Sequence, residues 1–274
     1  YLLKQALDEQ CNAVITAGAQ QSNHCRQTAA ACAMIGLECH LLLGGNEPTK
    51  YDGNLLLCKM LGATISFTGE NRKGETIADY KKSLETKKRK CFVIPYGGSN
   101  ITGALGFVNA VKELKAQLIG NNLQIDYIFF ASSSGGMQAG LMLGLELYGL
   151  NTKLVPINID KSETNGIPLE EVVANILNDG AKLLNSSKNY GPHNIPLNKD
   201  YDSAGYGVVT DNERYSIKEL AVKEGILLDP VYTGRAFYGM LDCLQNKRIK
   251  TNSNVLFWHT GGLPAIFKYA EEIV

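Results

Sequence analysis

Val14-Ile15-Thr16-Ala17-Gly18-Ala19-Gln20-Gln21-Ser22-Asn23-His24 runs from a short apolar, β-branched stretch through a glycine into a polar turn. An alanine-rich helix is expected over 22–35, closed by Gly36. The same succession of strand, glycine turn and helix recurs along the chain. Strands are expected over 38–43, 64–67, 91–95, 127–131, 154–159 and 255–258, and helices over 51–61, 103–118 and 138–148. This is the rhythm of a largely parallel sheet covered by helices. The expected architecture is two α/β domains, a small one over 1–108 and a large one over 109–274.

The composition narrows the function. A chain of 274 residues, 45% hydrophobic and 20% charged, is neither disordered nor fibrous. Lys+Arg 27 against Asp+Glu 27 leaves no net field to attract a polyanion, so small molecules are expected as partners rather than nucleic acid. No apolar run reaches the roughly 20 residues that span a bilayer, so no membrane is expected either. The seven cysteines, Cys11, Cys25, Cys32, Cys39, Cys58, Cys91 and Cys243, contain no C-x-x-C pair, and no His/Cys/carboxylate cluster argues for a metal. They read as reduced core residues of a cytoplasmic protein. The lysine-rich run over 80–90 lacks interleaved aromatics and reads as a solvated helix end; the polar stretch 185–202 reads as a surface loop. Tyr1 to Leu7 already reads as mid-helix, without an initiator Met or a cap, so the natural beginning is expected upstream.

Three constellations can carry chemistry. In Gly18-Ala19-Gln20-Gln21-Ser22-Asn23-His24, Ser22 or Asn23 is suited to cap the helix, and the N–H groups of its first turn can seat an anion. In Ala131-Ser132-Ser133-Ser134-Gly135-Gly136-Met137-Gln138, glycines and three hydroxyls precede another helix; the pattern suits a phosphate cup or a plain tight turn. It matches neither G-x-x-x-x-G-K-[ST] nor G-x-G-x-x-G. The third group is Gly205-Tyr206-Gly207, Leu228-Asp229-Pro230-Val231-Tyr232-Thr233-Gly234 and His259-Thr260-Gly261-Gly262, whose glycine-flanked tyrosines suit an exposed cleft and proton transfer. His259 fits a structural role better than a catalytic one.

Taken together, residues 21–30, Gly97-Gly98-Ser99-Asn100, Gly103-Ala104-Leu105-Gly106, 228–234 and His259-Thr260-Gly261-Gly262 with Pro264-Ala265 resemble the D-cysteine desulfhydrase / 1-aminocyclopropane-1-carboxylate (ACC) deaminase family. This family lies in the fold-type II, tryptophan-synthase-β-like branch of pyridoxal-phosphate enzymes. The resemblance implies two three-layer α/β lobes with largely parallel sheets and a cofactor cleft between them. It implies pyridoxal 5'-phosphate as cofactor, an amino-acid substrate and a homodimer. Ser22, Asn23 and His24 would hold the substrate carboxylate, and Asn23 would also meet the cofactor's phenolic oxygen. Ser133, Ser134, Gly135, Gly136 and Met137 would wrap the phosphate. Ser22, Tyr206 and Tyr232 would serve catalysis, and Thr233 and Thr260 would contact the cofactor, Thr260 near its pyridine nitrogen.

Within the family, deaminases carry Glu after the tyrosine that matches Tyr232 and Leu before the matching Gly-Gly, whereas desulfhydrases carry Thr at both positions. Thr233 and Thr260 therefore imply α,β-elimination of D-cysteine to pyruvate, hydrogen sulfide and ammonia, because a hydroxyl makes the ring a weaker electron sink than ring opening should need. ACC deamination to 2-oxobutanoate and ammonia is the alternative. The family's Schiff-base lysine falls upstream of Tyr1, and this implies a further alternative, a catalytically dead binding protein. Met137 and Gln20 also depart from the family pattern, which usually has Thr and Ile there.

Overall fold

β1 (Ala13–Gly18) is buried along its whole length, as a strand must be when helices cover both faces of its sheet. The computed structural model describes residues 1–161 and 163–274, and these form two units, Tyr1–Gly103 and Ala104–Val274. The division falls inside a helix, five residues before the expected crossing at 108.

The first unit runs α1 (Leu2–Asp8), β1, α2 (Asn23–Ile35), β2 (Glu38–Leu43), α3 (Gly53–Met60), β3 (Thr64–Phe67), α4 (Ile77–Glu85) and β4 (Cys91–Val93). Its four strands are parallel in the order β3-β2-β1-β4, with Gly18 opposite Leu43 and Ile15 opposite Val93. Alternation along the strands splits the core into two. Val14, Leu41 and Leu43 pack with Ala6, Cys25, Ala29 and Leu55 from α1, α2 and α3. Ala13, Ile15, Ala17 and Leu42 meet Ile77 and Leu84 of α4 on the other face. Gly36 closes α2 at φ 73, a left-handed conformation that glycine adopts without cost. α3 begins later than the expected 51–61, because Asp52 is extended and Gly53 has φ 52.

α5 (Ile101–Gly120) leads into the second unit, followed by β5 (Tyr127–Ser132), α6 (Gly136–Tyr148), β6 (Lys153–Asn158), α7 (Leu169–Leu183), α8 (Asp211–Glu224), α9 (Thr233–Gln245), β7 (Val255–Phe257) and α10 (Ala270–Ile273). The strands are parallel in the order β6-β5-β7. Ile128, Phe130 and Leu154 face α5 and α6, while Phe129 and Ile157 face α8 and α9. Each unit is thus a three-layer α/β sandwich.

All seven cysteines are buried and free. The lysine-rich run is a helix end in solvent, with Lys81 paired to Glu85 at 3.4 Å and Arg89 to Glu38 at 2.9 Å. No helix of the described residues is long and apolar enough to cross a membrane. Among the described residues no group of three His, Cys, Asp or Glu side chains is arranged to hold a metal.

Candidate active site

The first two constellations and His259-Thr260-Gly261-Gly262 follow the carboxyl ends of parallel strands, where α/β folds bind ligands. The first follows β1. Ser22 is the N-cap of α2, and its Oγ accepts the Cys25 N–H at 3.1 Å. The hydroxyl therefore keeps its proton for another acceptor. Arg26 is the first residue to close a main-chain bond, to Ser22 O, and the N–H groups of Asn23 and His24 have no partner among the described residues. Gly18 makes the turn possible, because a Cβ there would sit 2.8 Å from Ser22 Oγ and 2.7 Å from Cys25 Sγ.

Asn23 is oriented by a residue that sequence reasoning missed. Asn54, fully buried at the start of α3, donates from Nδ2 to Asn23 Oδ1 at 2.8 Å and to Gln21 O at 2.9 Å, and accepts Arg26 Nε at 3.0 Å. The Asn23 oxygen is thereby occupied and its NH2 is left as the outward donor. A polar residue in the first turn of the leucine-rich stretch Asn54-Leu55-Leu56-Leu57 was the available signal.

Thr16 donates its hydroxyl proton to Ile94 O, so it can only accept from His24 Nε2, 2.8 Å away. His24 is consequently the neutral Nε2–H tautomer, and burial pulls it down to about 4 from its ordinary value. The positive character of this seat comes from the helix terminus, not from an imidazolium.

The second constellation follows β5. Here one of the three expected hydroxyls, that of Ser132, is already spent within the fold. Ser132 Oγ donates to buried Gln138 at 2.7 Å, and Gln138 Nε2 binds Pro196 O, so that hydroxyl ties the turn to the loop over 192–198. Ser133 Oγ, in contrast, is buried without a hydrogen-bond partner. α6 starts at Gly136 behind Gly135, whose φ of 88 brings the turn against Val172 and Val173. The Met137 side chain packs into the α5/α6 core, so only its main chain is available to a ligand. A buried orphan hydroxyl beside a helix start is chemically suited to an anion.

In the second unit the late motifs converge. Asp229 is 1% exposed, and its carboxylate accepts N–H groups from Val231 (2.9 Å), Tyr232 (2.7 Å) and Thr233 (2.8 Å) together with the Thr233 hydroxyl (2.7 Å). Burial pushes this carboxyl above its ordinary value, against those donors. The Thr233 hydroxyl also accepts Asp229 N. Thr233 thus differs from the expected cofactor contact: it is fully buried, and its hydroxyl is spent on holding this turn. The same carboxylate packs on Gly262, where a Cβ would come within 2.6 Å of Asp229 Cβ. Thr260, three residues beyond β7, is exposed. His259 is structural, its Nδ1 accepting Gly261 N at 2.8 Å and its Nε2 meeting Leu227 O at 3.1 Å.

Tyr206 and Tyr232 are half-buried and edge-to-face, with ring centroids 5.9 Å apart and hydroxyls at 2.5 Å. One phenol must donate to the other, which leaves the acceptor with its own O–H to present elsewhere. A proton can pass in at one end of such a pair and out at the other.

Residues 1–261 match the family described as pyridoxal-phosphate dependent enzyme. The chain is 38% identical over 279 residues to a D-cysteine desulfhydrase of Klebsiella pneumoniae (strain 342), covering 98% of this chain and 82% of that protein. The crystal structure of an ACC deaminase homologue superposes with a TM-score of 0.88 at 34% identity, covering 100% of this chain and 81% of that one. A hydrogen sulfide-producing enzyme of Fusobacterium nucleatum, 17% identical with a TM-score of 0.63 over 93% of this chain and 81% of its own, shares the fold.

Proposed function

The chain belongs to the pyridoxal-phosphate-dependent enzyme family, and from that membership we propose that it eliminates sulfide from D-cysteine, yielding pyruvate, hydrogen sulfide and ammonia. The observation that carries this reading is the 38% identity to a D-cysteine desulfhydrase across 98% of the chain.

Taken unit by unit, the residues suit parts of the cofactor. The partnerless Ser133 hydroxyl and the start of α6 suit its phosphate, with Ser134, Gly135, Gly136 and the Met137 main chain around it. Asn23, with its oxygen engaged by Asn54, offers NH2 to the phenolic oxygen. Thr260 is the exposed hydroxyl for the pyridine nitrogen. When bound, the cofactor supplies the electron sink that makes the Cα proton of an amino acid acidic.

The chain's own groups do the rest. The N–H groups of Asn23 and His24 and the Ser22 hydroxyl bind the substrate carboxylate; a helix start stabilises such a charge by about 0.3–1 kcal/mol, and up to roughly 2 kcal/mol when partly buried. Neutral His24 adds no charge there. The Tyr206–Tyr232 pair moves the proton that the departing sulfur needs, and Thr233 acts through Asp229 to hold Tyr232 in place. A homodimer rests on the family resemblance alone, and a place in the cytoplasm on the seven free cysteines.

ACC deamination is the second reading, favoured by the superposition on an ACC deaminase homologue. The deciding measurement supplies the protein encoded by its natural gene, loaded with pyridoxal phosphate, with each amino acid in turn. Sulfide and pyruvate in equal amounts from D-cysteine are expected. Turnover of ACC alone, to 2-oxobutanoate and ammonia, would transfer the assignment to the deaminases.

A further inference from the structure

Arg235 lies in the first turn of α9 and is 1% exposed, the largest fully buried side chain among the described residues. Its guanidinium reaches in several directions at once. Nε donates to Glu213 Oε1 at 2.7 Å, Nη1 to Ile159 O at 2.8 Å and Gly205 O at 3.0 Å, and Nη2 to Val208 O at 2.9 Å. Gly205 and Val208 bracket Tyr206 and Gly207. Glu213, 2% exposed, is fixed in turn by the Thr210 N–H at 2.8 Å and by the Thr210 hydroxyl. One planar cation thus ties the end of β6 and the start of α8 to both shoulders of the loop that carries Tyr206.

The loop needs such a tie. Tyr206 sits between Gly205 at φ 92 and Gly207 at φ 75, and glycine is the residue that gives a chain the most freedom to move. A Cβ on Gly207 would lie 3.1 Å from the Tyr269 hydroxyl, so the loop is closely bounded on that side. Desolvating an arginine and a glutamate is costly, and a buried pair of this kind often adds little to stability relative to apolar residues. What the fork does add is geometry: a lysine ammonium cannot meet three separate carbonyls and a carboxylate at once.

We propose that Arg235, set by Glu213, is a positioning residue that clamps residues 205–208 so that the Tyr206 phenol is presented to that of Tyr232. This rests on the proton-transfer role proposed for the pair, and the test separates the two. The holoenzyme is labelled with 3-fluorotyrosine, and the Tyr206 fluorine resonance is assigned with Y206F. The coupling is the displacement of that resonance caused by Y232F, measured with arginine, lysine or methionine at position 235.

With Arg235 the displacement is expected to be clear; in R235M it should shrink at least about fivefold, with R235K between, while kcat on D-cysteine falls about 10- to 100-fold and KM stays within about threefold. Undiminished coupling in R235M whose far-UV circular dichroism is native overturns the clamp. Should R235M fail to fold, R235K decides alone, and native coupling there overturns the proposal equally. Lost coupling with unchanged kcat rejects any catalytic value for the clamp. If D-cysteine is not a substrate of the native holoenzyme but the coupling still depends on position 235, the functional reading fails and the positioning role stands.

Discussion

Replacing Asn54 by Asp tests the proposal that Asn23 offers its NH2 to the cofactor. The carboxylate keeps the acceptor that Arg26 Nε uses at 3.0 Å, but it removes both donors, to Gln21 O at 2.9 Å and to Asn23 Oδ1 at 2.8 Å. Asn23 can answer by rotating its amide half a turn, so that Nδ2 donates to the new carboxylate. That repairs one bond and presents an oxygen where the structure presents NH2. Facing the phenolic oxygen of pyridoxal phosphate, an acceptor in place of a donor forfeits a hydrogen bond to a charged group, about 1.5–3 kcal/mol. At 1.4 kcal/mol per decade this is roughly a 10- to 150-fold rise in the cofactor's dissociation constant. The Gln21 carbonyl cannot rotate in the same way, and its lost partner costs stability of about 1 kcal/mol. Cofactor binding is measured by absorbance titration of the apoprotein, with Asn54→Leu as the control that frees Asn23 without forcing it to turn. That control is expected to weaken binding by about 3- to 10-fold, since it loses orientation only. Asn54→Asp protein that is folded and binds within threefold of the native level would refute the reasoning.

Two further outcomes follow from the geometry. Gly262→Ala puts a Cβ 2.6 Å from Asp229 Cβ at a backbone φ of 103; strain of about 2 kcal/mol or more should lower the melting temperature by at least about 4 °C, and an unchanged melt by calorimetry would show that the Asp229 contact is not rigid. His24, held at about 4 in the folded chain against an ordinary value of 6.5, makes stability depend on pH. The unfolded chain takes up the proton first as pH falls, so the contribution of neutral His24 is complete above about 6.5 and is lost between about 6.5 and 4. Between pH 7 and pH 4.5 urea denaturation should show about 2 kcal/mol more loss in the native protein than in His24→Gln, and equal losses would remove His24 as the source.

The local order of the chain determined much by itself. Short apolar runs marked out seven parallel strands among the described residues, because a strand buried on both faces must be largely apolar and must return through a crossover. Helix starts were readable for the same local reason: Ser22 satisfies an N–H three residues away. The polar turns before α2 and α6 were therefore readable as candidate anion seats, as was Tyr206 between its two glycines. α7, α8 and α9 went unread: no strand leads directly into them, although the Thr210–Glu213 capping box and the closing Gly225 of α8 were signals the sequence offered.

What tertiary structure alone decided is which hydroxyls and amides remain available. Ser132 and Ser133 are neighbours of one chemical type, yet one is consumed by Gln138 and the other is left buried and unpaired. Thr233 became part of a turn because Asp229 folds back on it. Asn54 reaches Asn23 across 31 positions and Arg235 reaches Ile159 across 76, after the sheets have brought those segments together. A residue's type fixes how many hydrogen bonds it can make, and is written in the sequence. Which partners exhaust them depends on distances a few ångströms long between segments far apart in the chain, and only the folded backbone sets those.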